Sequence, residues 1–499
     1  MATKSAFHVI VLGPNGGPRE DRVTGLLVRS TSMKWTPGSA VAVDAGTLLA
    51  GIIRLLSQNS HEFQNEKGLV VDGPFEGLEL PYRTPEANAA HIFREVIGAV
   101  LITHPHLDHI SGLAINTPIL EAGSGPKPVA ALPSVLSAIK NHMFNDVIWP
   151  NLSDEDGGAG LLTYQRLVEG GNPRFGLGEA RGYVRACNGL LTKCLSVSHG
   201  RCKQRFHPES GTHHRIGSAV FADQLMLPSR AISVDHTDAS FYSPARSPRL
   251  VPSNPKEPVL AMVESSAFFL RDHCTGSEII VFGDVEPDSV SLEPHNRRVW
   301  EAAAPKIVAG TLRAIFIECS YNDSIDDAYL YGHMCPRHLV SELKVLATKV
   351  LEASDASTGG EKKRKREDTR FSEAGAEQVS PRSKRTQSIA ADKERRSEPP
   401  AEAQNSSAVV DEQPDAAKDE PIDDAPDVDE ANALDSARWA NLNPLPLAGL
   451  SVYIIHIKES LSDGPPPGDQ ILRELQAHGE EAHLGCEFHI PNPNEGIWI

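Results

Sequence analysis

The sequence of 499 residues predicts an α/β fold that one long disordered insertion interrupts. Two observations predict this organisation. Short apolar runs rich in β-branched residues alternate with amphipathic segments along most of the chain, which is the pattern of strands and helices. Between residues 354 and 437 this pattern stops, and the composition becomes rich in Ser, Ala, Pro and charged residues, with Phe371 as the lone aromatic residue.

The first half of the chain contains several apolar runs bounded by turn residues, which predict strands. These runs are 7–13, 25–30, 40–46, 96–104 and 188–200. Helices are expected over 86–98 and near 129–142. Residues 153–182 are Gly-rich and are expected to be irregular, and residues 200–255, rich in Ser, Pro, His and Arg, are expected to form an irregular excursion.

The second half repeats the alternation on both sides of the insertion. Its predicted strands are 259–272, 277–284, 313–321 and 447–460. Helices are expected over 337–353 and 469–479. Because globular patterning resumes after the insertion, residues 1–353 and 438–499 are predicted to form one domain, with 354–437 as a disordered charged insertion inside it.

The insertion carries unevenly distributed charge. The run KKRKRE at 362–367 is typical of a nuclear-localisation signal that an import receptor reads, and a solvated charge cluster is the alternative. A second basic patch at 380–385 contains Ser380 and Ser383, which could be phosphorylated, and an acidic stretch at 411–430 could mask the basic run.

Charge and composition exclude several classes of protein. The net charge of −18 makes nucleic acid an unexpected partner, since phosphate contacts need clustered Lys and Arg. No apolar run approaches the roughly 20 residues of a membrane helix, and no secretory signal opens the chain. The seven cysteines form no CxxC motif, which favours reduced thiols in the cytoplasm, with the nucleus as a second location.

The segment LITHPHLDHISGL at 101–113 carries the strongest chemical signal. His104, His106, Asp108 and His109 fall within six residues, directly after an apolar strand. A strand end that runs into a tight turn can point these side chains at one place, whereas a regular helix cannot. Imidazole and carboxylate ligands at this density favour two adjacent divalent metals, with Zn²⁺ as the expected ion and Mn²⁺ or Fe as alternatives.

A two-metal site needs further ligands from other strand ends. His199 in LSVSHG, Asp284 in IIVFGD and His456 in VYIIHIK are the predicted ones, with Asp284 placed to bridge both metals. Four other histidines compete with His199 and lie in irregular sequence or beside a turn. They are His213, His214, His236 and His273.

This order of ligands resembles that of the metallo-β-lactamase superfamily. The resemblance implies an αββα sandwich with the metals at the edge between two sheets, and Asp44 in AVAVDAGT resembles the superfamily's early strand-end Asp, which supports the site without binding metal. More narrowly, THPHLDHISGL is similar to the signature of class II cyclic-nucleotide phosphodiesterases, the low-affinity fungal type. Weaker matching segments are GPNGGPRED, VSHG, ESSAFFLRD, FGDVEPDS, IECSY, YGHM and IIHIKES.

The resemblance implies hydrolysis of 3′,5′-cyclic nucleotides, cAMP first and cGMP as an option, to 5′-monophosphates by a metal-bridging hydroxide. Asp108 is then expected to bind the second metal, and His333 to be the general acid, oriented by Glu318 as in related nucleases of this fold. The alternative is a loop histidine beside an ordinary strand-end salt link. Aromatic residues available for stacking on a purine, or for the core, are Phe268, Phe269, Tyr321, Tyr329 and Tyr331.

Two other kinds of function fit the same residues less well. A tRNA 3′-processing nuclease, a thioesterase or a lactonase could share the fold, but a nuclease would need a basic arm, and the basic patches here lie inside an acidic-flanked insertion. A non-catalytic interaction protein could also use the scaffold, although it would be free to lose metal ligands. Many enzymes of this fold are dimers, so a homodimer is left open.

Overall fold

The computed structural model describes residues 5–61, 70–121, 125–216, 260–368, 439 and 442–499. One compact unit consists of residues 1–356 and 436–499, and the structure describes only a helix end from the second unit, residues 357–435. The described residues of the first unit form two seven-stranded sheets and two small two-stranded sheets. His236 and most of the predicted insertion lie outside the described residues, so the predicted disorder and domain boundaries stay predictions.

The first sheet has the strand order β18-β1-β2-β3-β6-β7-β8. Its strands are β1 (Phe7–Gly13), β2 (Gly25–Ser30), β3 (Ala40–Val43), β6 (Ile97–Leu101), β7 (Lys127–Ala131), β8 (Leu162–Arg166) and β18 (Ile497–Trp498). The pairs from β18 to β3 are antiparallel, and those from β3 to β8 are parallel.

The second sheet has the order β17-β16-β15-β14-β13-β10-β9. Its strands are β9 (Val184–Cys187), β10 (Leu190–Cys202), β13 (Ala261–Asp272), β14 (Glu278–Phe282), β15 (Leu312–Glu318), β16 (Ser451–Ile455) and β17 (Glu487–His489). Like the first sheet, it joins an antiparallel half, β9 to β14, to a parallel half, β14 to β17.

Small hairpins and helices complete the fold. The hairpins pair β4 (Ser60–His61) with β5 (Val70–Val71) and β11 (Gln204–His207) with β12 (Thr212–Arg215). The helices are α1 (Leu49–Asn59), α2 (Pro85–His91), α3 (Leu107–Asn116), α4 (Pro133–His142), α5 (Asn296–Val308), α6 (Pro336–Asp368) and α7 (Pro467–Glu481).

The strands of the second sheet are apolar on both faces, which explains the layered architecture. In β13, Phe268 belongs to the core between the two sheets, whereas Phe269 belongs to the core under the outer helices. Ile279 and Ile280 divide in the same way in β14, because successive side chains of a strand point to opposite faces. Helices cover the outer faces, so the predicted α/β class and αββα sandwich are confirmed.

Several predicted boundaries were wrong. The helix expected near 129–142 begins only at Pro133, because Lys127–Ala131 pairs with two parallel neighbours as a strand. The helix expected over 86–98 gives way to a π-helical turn, Ile92–Val96, and then to strand β6. Strand β8 lies within the stretch expected to be irregular at 153–182, since Leu162 and Tyr164 alternate inward.

Regular structure extends into the start of the predicted irregular excursion and beyond residue 353. The first sixteen residues of the 200–255 excursion end β10 and form the β11–β12 hairpin. Helix α6 continues past residue 353 to Asp368, beyond the predicted start of the insertion. No helix among the described residues is both long and apolar enough to cross a bilayer.

Candidate metal centre

Three predicted ligands and the predicted supporting residue Asp44 follow the carboxyl ends of strands, which meet at one edge of the sandwich. Asp44 follows β3, His104 follows β6, Asp284 follows β14 and His456 directly follows β16. His199 lies within the long strand β10 of the second sheet. Because β3 and β6 belong to the first sheet and the others to the second, the site joins both sheets at their edge.

The turn between β6 and α3 supplies four of the predicted ligands. Helix α3 begins at Leu107, so Asp108 and His109 lie in its first turn, and His106 lies just before it. The helix packs tightly on the loop after β3: a Cβ on Gly112 would lie 2.6 Å from the carbonyl oxygen of Ala45. Only glycine therefore permits this close approach.

Four side chains form the first ligand group: His104, His106, His199 and Asp284. His104 Nε2 and His199 Nε2 each lie 3.6 Å from Asp284 Oδ2. His106 Nδ1 lies 3.2 Å from His199 Nε2. The ligand atoms of this group lie within 4.8 Å of one another, which is compact enough to surround one cation.

Four side chains form the second ligand group: Asp108, His109, Asp284 and His456. Asp284 Oδ1 lies 3.2 Å from His109 Nε2, and its Oδ2 lies 3.1 Å from His456 Nε2. Asp108 Oδ2 lies 3.7 Å from His456 Nε2. Asp284 belongs to both groups, which is the position the sequence predicted for a bridging carboxylate.

Hydrogen bonds behind the second group fix the histidine tautomers. His109 Nδ1 donates to Asp44 Oδ2 at 2.8 Å. His456 Nδ1 lies 2.7 Å from Thr24 Oγ1, and since that hydroxyl donates to the Asn15 carbonyl, the imidazole is the donor. In both histidines Nε2 is therefore the ring nitrogen that faces the centre.

The first group is supported in the same way by uncharged partners. His199 Nδ1 donates to the Gly332 carbonyl oxygen at 2.8 Å. His104 Nδ1 lies 3.1 Å from Thr103 Oγ1, which itself donates to Asp44 Oδ2 at 2.8 Å. Thr103 Oγ1 therefore accepts a hydrogen bond from His104 Nδ1. The Nε2 atoms of His104 and His199 are left to face Asp284.

Backbone conformation marks the same edge. Asp44 and His456 adopt left-handed conformations with φ of 56° and 59°, which residues other than glycine rarely do. Such strain concentrates at functional sites, where surrounding contacts hold it in place. Gly16 lies directly over His456, since a Cβ there would lie 2.5 Å from His456 Nε2.

The buried polar atoms at the centre fit a metal. His104 Nε2 is buried without a hydrogen-bond partner among the described residues, and His109 Nε2 and Asp284 Oδ1, buried 3.2 Å apart, do not meet in hydrogen-bonding geometry. Unpaired buried polar atoms are costly, and imidazole nitrogens and carboxylate oxygens that converge in this way are the ligands of divalent transition metals. The residues present therefore fit divalent metal binding.

Protonation at the centre follows burial and charge. Burial lowers the pKa of His199 to about 3 and holds the pKa of His104 well below its usual value, so both imidazoles are neutral and able to ligate. Burial opposes charge on His109 as well, but Asp284 and Asp44 outweigh it and hold its pKa well above normal. A proton and a metal at His109 Nε2 exclude each other, so metal binding there releases a proton.

Glu318 and His333 form a buried pair beside the ligands. His333 Nδ1 donates to Glu318 Oε1 at 2.9 Å, and its ring centroid lies 4.9 Å from that of His199. Glu318 also accepts from Val285 N at 2.9 Å and from Ser320 Oγ at 2.6 Å, so its carboxylate is held by hydrogen bonds. Burial disfavours a charged His333, but Glu318 outweighs it and raises the pKa of His333.

Other predicted candidates lie elsewhere. Phe268 and Phe269 are fully buried core residues, so they cannot stack on a ligand. Tyr329 and Tyr331 are exposed on the loop before His333, and the Tyr321 ring lies 6.1 Å from that of His333. His213 and His214 lie on the β11–β12 hairpin, and His273 lies in the turn after β13. The grouped ligands contain none of these three histidines.

Apart from Asp44, the residues that hold the ligands in place were not predicted from the sequence. Thr24 and His456 are 432 positions apart, and no local pattern connects them. Lys458 Nζ lies 3.1 Å from His456 Nε2 and 3.8 Å from Asp108 Oδ2, and it donates to the Gly16 carbonyl at 2.6 Å. Gly16 lies in GPNGGPRED and Lys458 lies in IIHIKES. The occurrence of both segments in one chain was the signal that could have indicated these supporting residues.

Comparison with known proteins gives consistent results. The model of a family described as cAMP phosphodiesterases class-II matches residues 11–167 and 227–359. The 3′,5′-cyclic-nucleotide phosphodiesterase of Schizosaccharomyces pombe is 28% identical over 351 residues, 70% of this chain and 77% of that protein. A probable 3′,5′-cyclic-nucleotide phosphodiesterase of Yersinia pestis is 27% identical over 342 residues, 68% of this chain and 73% of that protein.

A solved structure supports the fold. Unliganded yeast PDE1 matches with a TM-score of 0.58 and 19% identity, over 99% of this chain and 100% of that chain. This likeness shows the shared architecture, and the family model covers more than half of the present sequence. The chain belongs to the class-II cAMP phosphodiesterase family.

Proposed function

We propose that this chain hydrolyses 3′,5′-cyclic nucleotides, cAMP first, to 5′-monophosphates with the help of two divalent metal ions, Zn²⁺ by preference. The observation that carries the proposal is the pair of ligand groups that share Asp284, at the sandwich edge of a chain in the class-II cAMP phosphodiesterase family. Curated relatives from several organisms carry the name 3′,5′-cyclic-nucleotide phosphodiesterase, which supports the same reaction.

The two ligand groups would each hold one cation, and three imidazoles in the first group favour Zn²⁺. When bound, divalent cations lower the pKa of a water molecule towards neutrality and neutralise charge on phosphoryl oxygens. The chain's contribution is to fix the ligands: Asp44, Thr24, Thr103 and the Gly332 carbonyl orient four imidazoles through their Nδ1 atoms.

His333 is the proposed proton donor. Cleavage breaks the bond between phosphorus and the 3′ oxygen, and the departing alkoxide must take up a proton. Glu318 binds Nδ1 of His333, so Nε2 is the nitrogen that can transfer a proton to the 3′ oxygen. Because Glu318 also favours the charged imidazolium, it keeps this donor loaded near neutral pH.

The direct test uses the full purified chain. We expect chelator-sensitive conversion of cAMP to 5′-AMP, with about two metal equivalents per chain by elemental analysis. Parallel reactions contain cGMP, bis(4-nitrophenyl) phosphate and a precursor tRNA. Release of 3′-AMP, or cleavage of RNA alone by fully loaded protein, would contradict the proposal. The homodimer, the import receptor and the location of the protein stay predictions.

A further inference from the structure

A small cleft lies between helix α4 and the β11–β12 hairpin, and residues close in sequence to ligands of the first group line part of it. Its volume is about 180 Å³, and its wall includes Pro105 and Cys202. Pro105 lies between the ligands His104 and His106, and Cys202 follows His199 by three residues on the same strand. The cleft therefore begins where the chain leaves the metal centre.

The floor of the cleft is part of strand β13, which pairs with the strand that carries His199. Glu264 on β13 pairs with Ser198, the residue before His199, and Met262 pairs with Arg201. Glu264 is half-buried, and its Oε2 accepts a hydrogen bond from Ser134 Oγ at the start of α4. One carboxylate thus lines the cleft at a position that the hydrogen bond from Ser134 fixes.

The outer wall is aromatic. Phe206 and His213 are directly opposite each other in the hairpin, both half-buried, and their ring centroids lie 5.3 Å apart. His213 Nδ1 is buried and has no hydrogen-bond partner among the described residues. Burial lowers the pKa of His213, so the neutral ring offers one donor and one acceptor nitrogen.

We propose that this cleft holds the purine base of the nucleotide whose phosphate binds at the metal centre. The inference rests on the proposed function and extends it to Phe206, His213 and Glu264, which then select a purine over a simple phosphodiester. Pockets for whole drug-sized ligands measure about 300–1,000 Å³, so a cleft of about 180 Å³ suits a single ring system.

The chemistry of the cleft matches a purine in three ways. Phe206 provides an apolar face for base stacking. His213 offers a hydrogen bond to a ring nitrogen or an exocyclic group, which would satisfy its unpaired Nδ1. The Glu264 carboxylate can accept from an exocyclic or ring N–H and repels phosphate, so it orients the base inward and the phosphate towards the metals.

The hairpin offers a matched control. Arg205 pairs with His214 in the register next to Phe206 and His213, and alternation along a strand places this pair on the opposite face. His214→Ala therefore removes an imidazole from the same hairpin without touching the cleft wall. Phe206→Ala and His213→Ala remove the stacking face and the hydrogen-bonding ring.

The experiment measures steady-state hydrolysis of cAMP and of bis(4-nitrophenyl) phosphate by each variant of the full chain, together with metal content. Binding is measured separately, by fluorescence quenching of a cyclic nucleotide that carries 2-aminopurine as its base. We expect Phe206→Ala to raise the KM for cAMP and the Kd of the fluorescent ligand by roughly ten- to hundredfold, with His213→Ala somewhat less. In both variants, turnover of bis(4-nitrophenyl) phosphate and metal content are expected to stay near wild type. The control variant His214→Ala is expected to keep the wild-type KM and Kd.

Failure of the inference and failure of the proposed function look different. If wild type hydrolyses cAMP but Phe206→Ala and His213→Ala keep its KM and the quenching, the base binds elsewhere. An equal loss for both substrates in these variants would indicate damage to the centre, and would also overturn the assignment. If metal-loaded wild type leaves cyclic nucleotides intact and does not quench the fluorescent ligand, the proposed function itself is wrong.

Discussion

The two ligand groups share Asp284 but differ in charge. The first group adds three neutral imidazoles to that carboxylate, and its supporting partners are the Thr103 hydroxyl and the Gly332 carbonyl. The second group adds the Asp108 carboxylate, and Asp44 places a further carboxylate behind His109. Lys458 offsets part of this negative charge, since its Nζ lies 3.8 Å from Asp108 Oδ2.

This difference shows how one edge can form two unlike cation sites. A buried cation is stabilised by each nearby carboxylate, so the second group should hold its metal more firmly above the pH at which His109 loses its proton. The imidazole-rich first group relies on nitrogen ligation and should release its metal first to a chelator. The following predictions test this ranking.

Loss of the shared ligand should have the largest effect. Asp284→Ala removes a carboxylate from both groups, so we expect metal content to fall by more than one equivalent and cAMP hydrolysis by roughly a thousandfold or more. Elemental analysis and product assay measure the two effects. Glu480→Ala, an exposed carboxylate on α7, serves as the control. Retention of both metals by Asp284→Ala would show that the groups do not depend on a common carboxylate.

Substituting a ligand that belongs to only one group should distinguish the two metal sites. His106→Ala should remove one metal equivalent and Asp108→Ala the other, and each should lower the rate of cAMP hydrolysis by at least roughly a hundredfold without unfolding the chain. Titration with a chelator then ranks the remaining metal in each variant. If the metal left in Asp108→Ala is held more tightly than the metal left in His106→Ala, the ranking above is reversed.

His333 belongs to neither group, and its effect should depend on the leaving group. We expect His333→Ala to slow cAMP hydrolysis by about 10²–10⁴-fold, because an alkoxide needs a proton. Bis(4-nitrophenyl) phosphate releases a phenolate that needs none, so its rate should change far less. Metal content should stay at the wild-type level. Equal losses for both substrates would instead assign His333 to metal binding or structure.

We expect metal affinity to depend more on a charged hydrogen-bond partner of a ligand histidine than on a neutral one. Asp44→Asn weakens the charged partner of His109, and we expect metal affinity of the second group to fall by about 10–100-fold. Thr24→Val removes the neutral partner of His456, and the expected loss is smaller, at roughly tenfold or less. Competition with a fluorescent chelator measures both. A larger loss in Thr24→Val would show that hydrogen-bond geometry, and not charge, sets the affinity.

Several strands of both sheets were predictable because their own residues form continuous buried runs. Strands β1, β2 and β14 lie close to the predicted positions, since burial on both faces leaves a strong local pattern. Strand β7 was mistaken for the start of a helix, because a short apolar run is ambiguous without its neighbours. The hairpin β11–β12 carries few fully buried residues, and it therefore gave no clear strand signal.

The sequence alone determined the chemistry of the centre, because His104, His106, Asp108 and His109 are neighbours in one turn and their ligating groups do not depend on the rest of the chain. Only the tertiary structure decided how distant residues complete it. Thr24 meets His456, and Phe206 lines a cleft together with Glu264, through strand order and register that no local pattern encodes. Ligand identity is a property of side chains, whereas mutual orientation is set by the packing of two sheets.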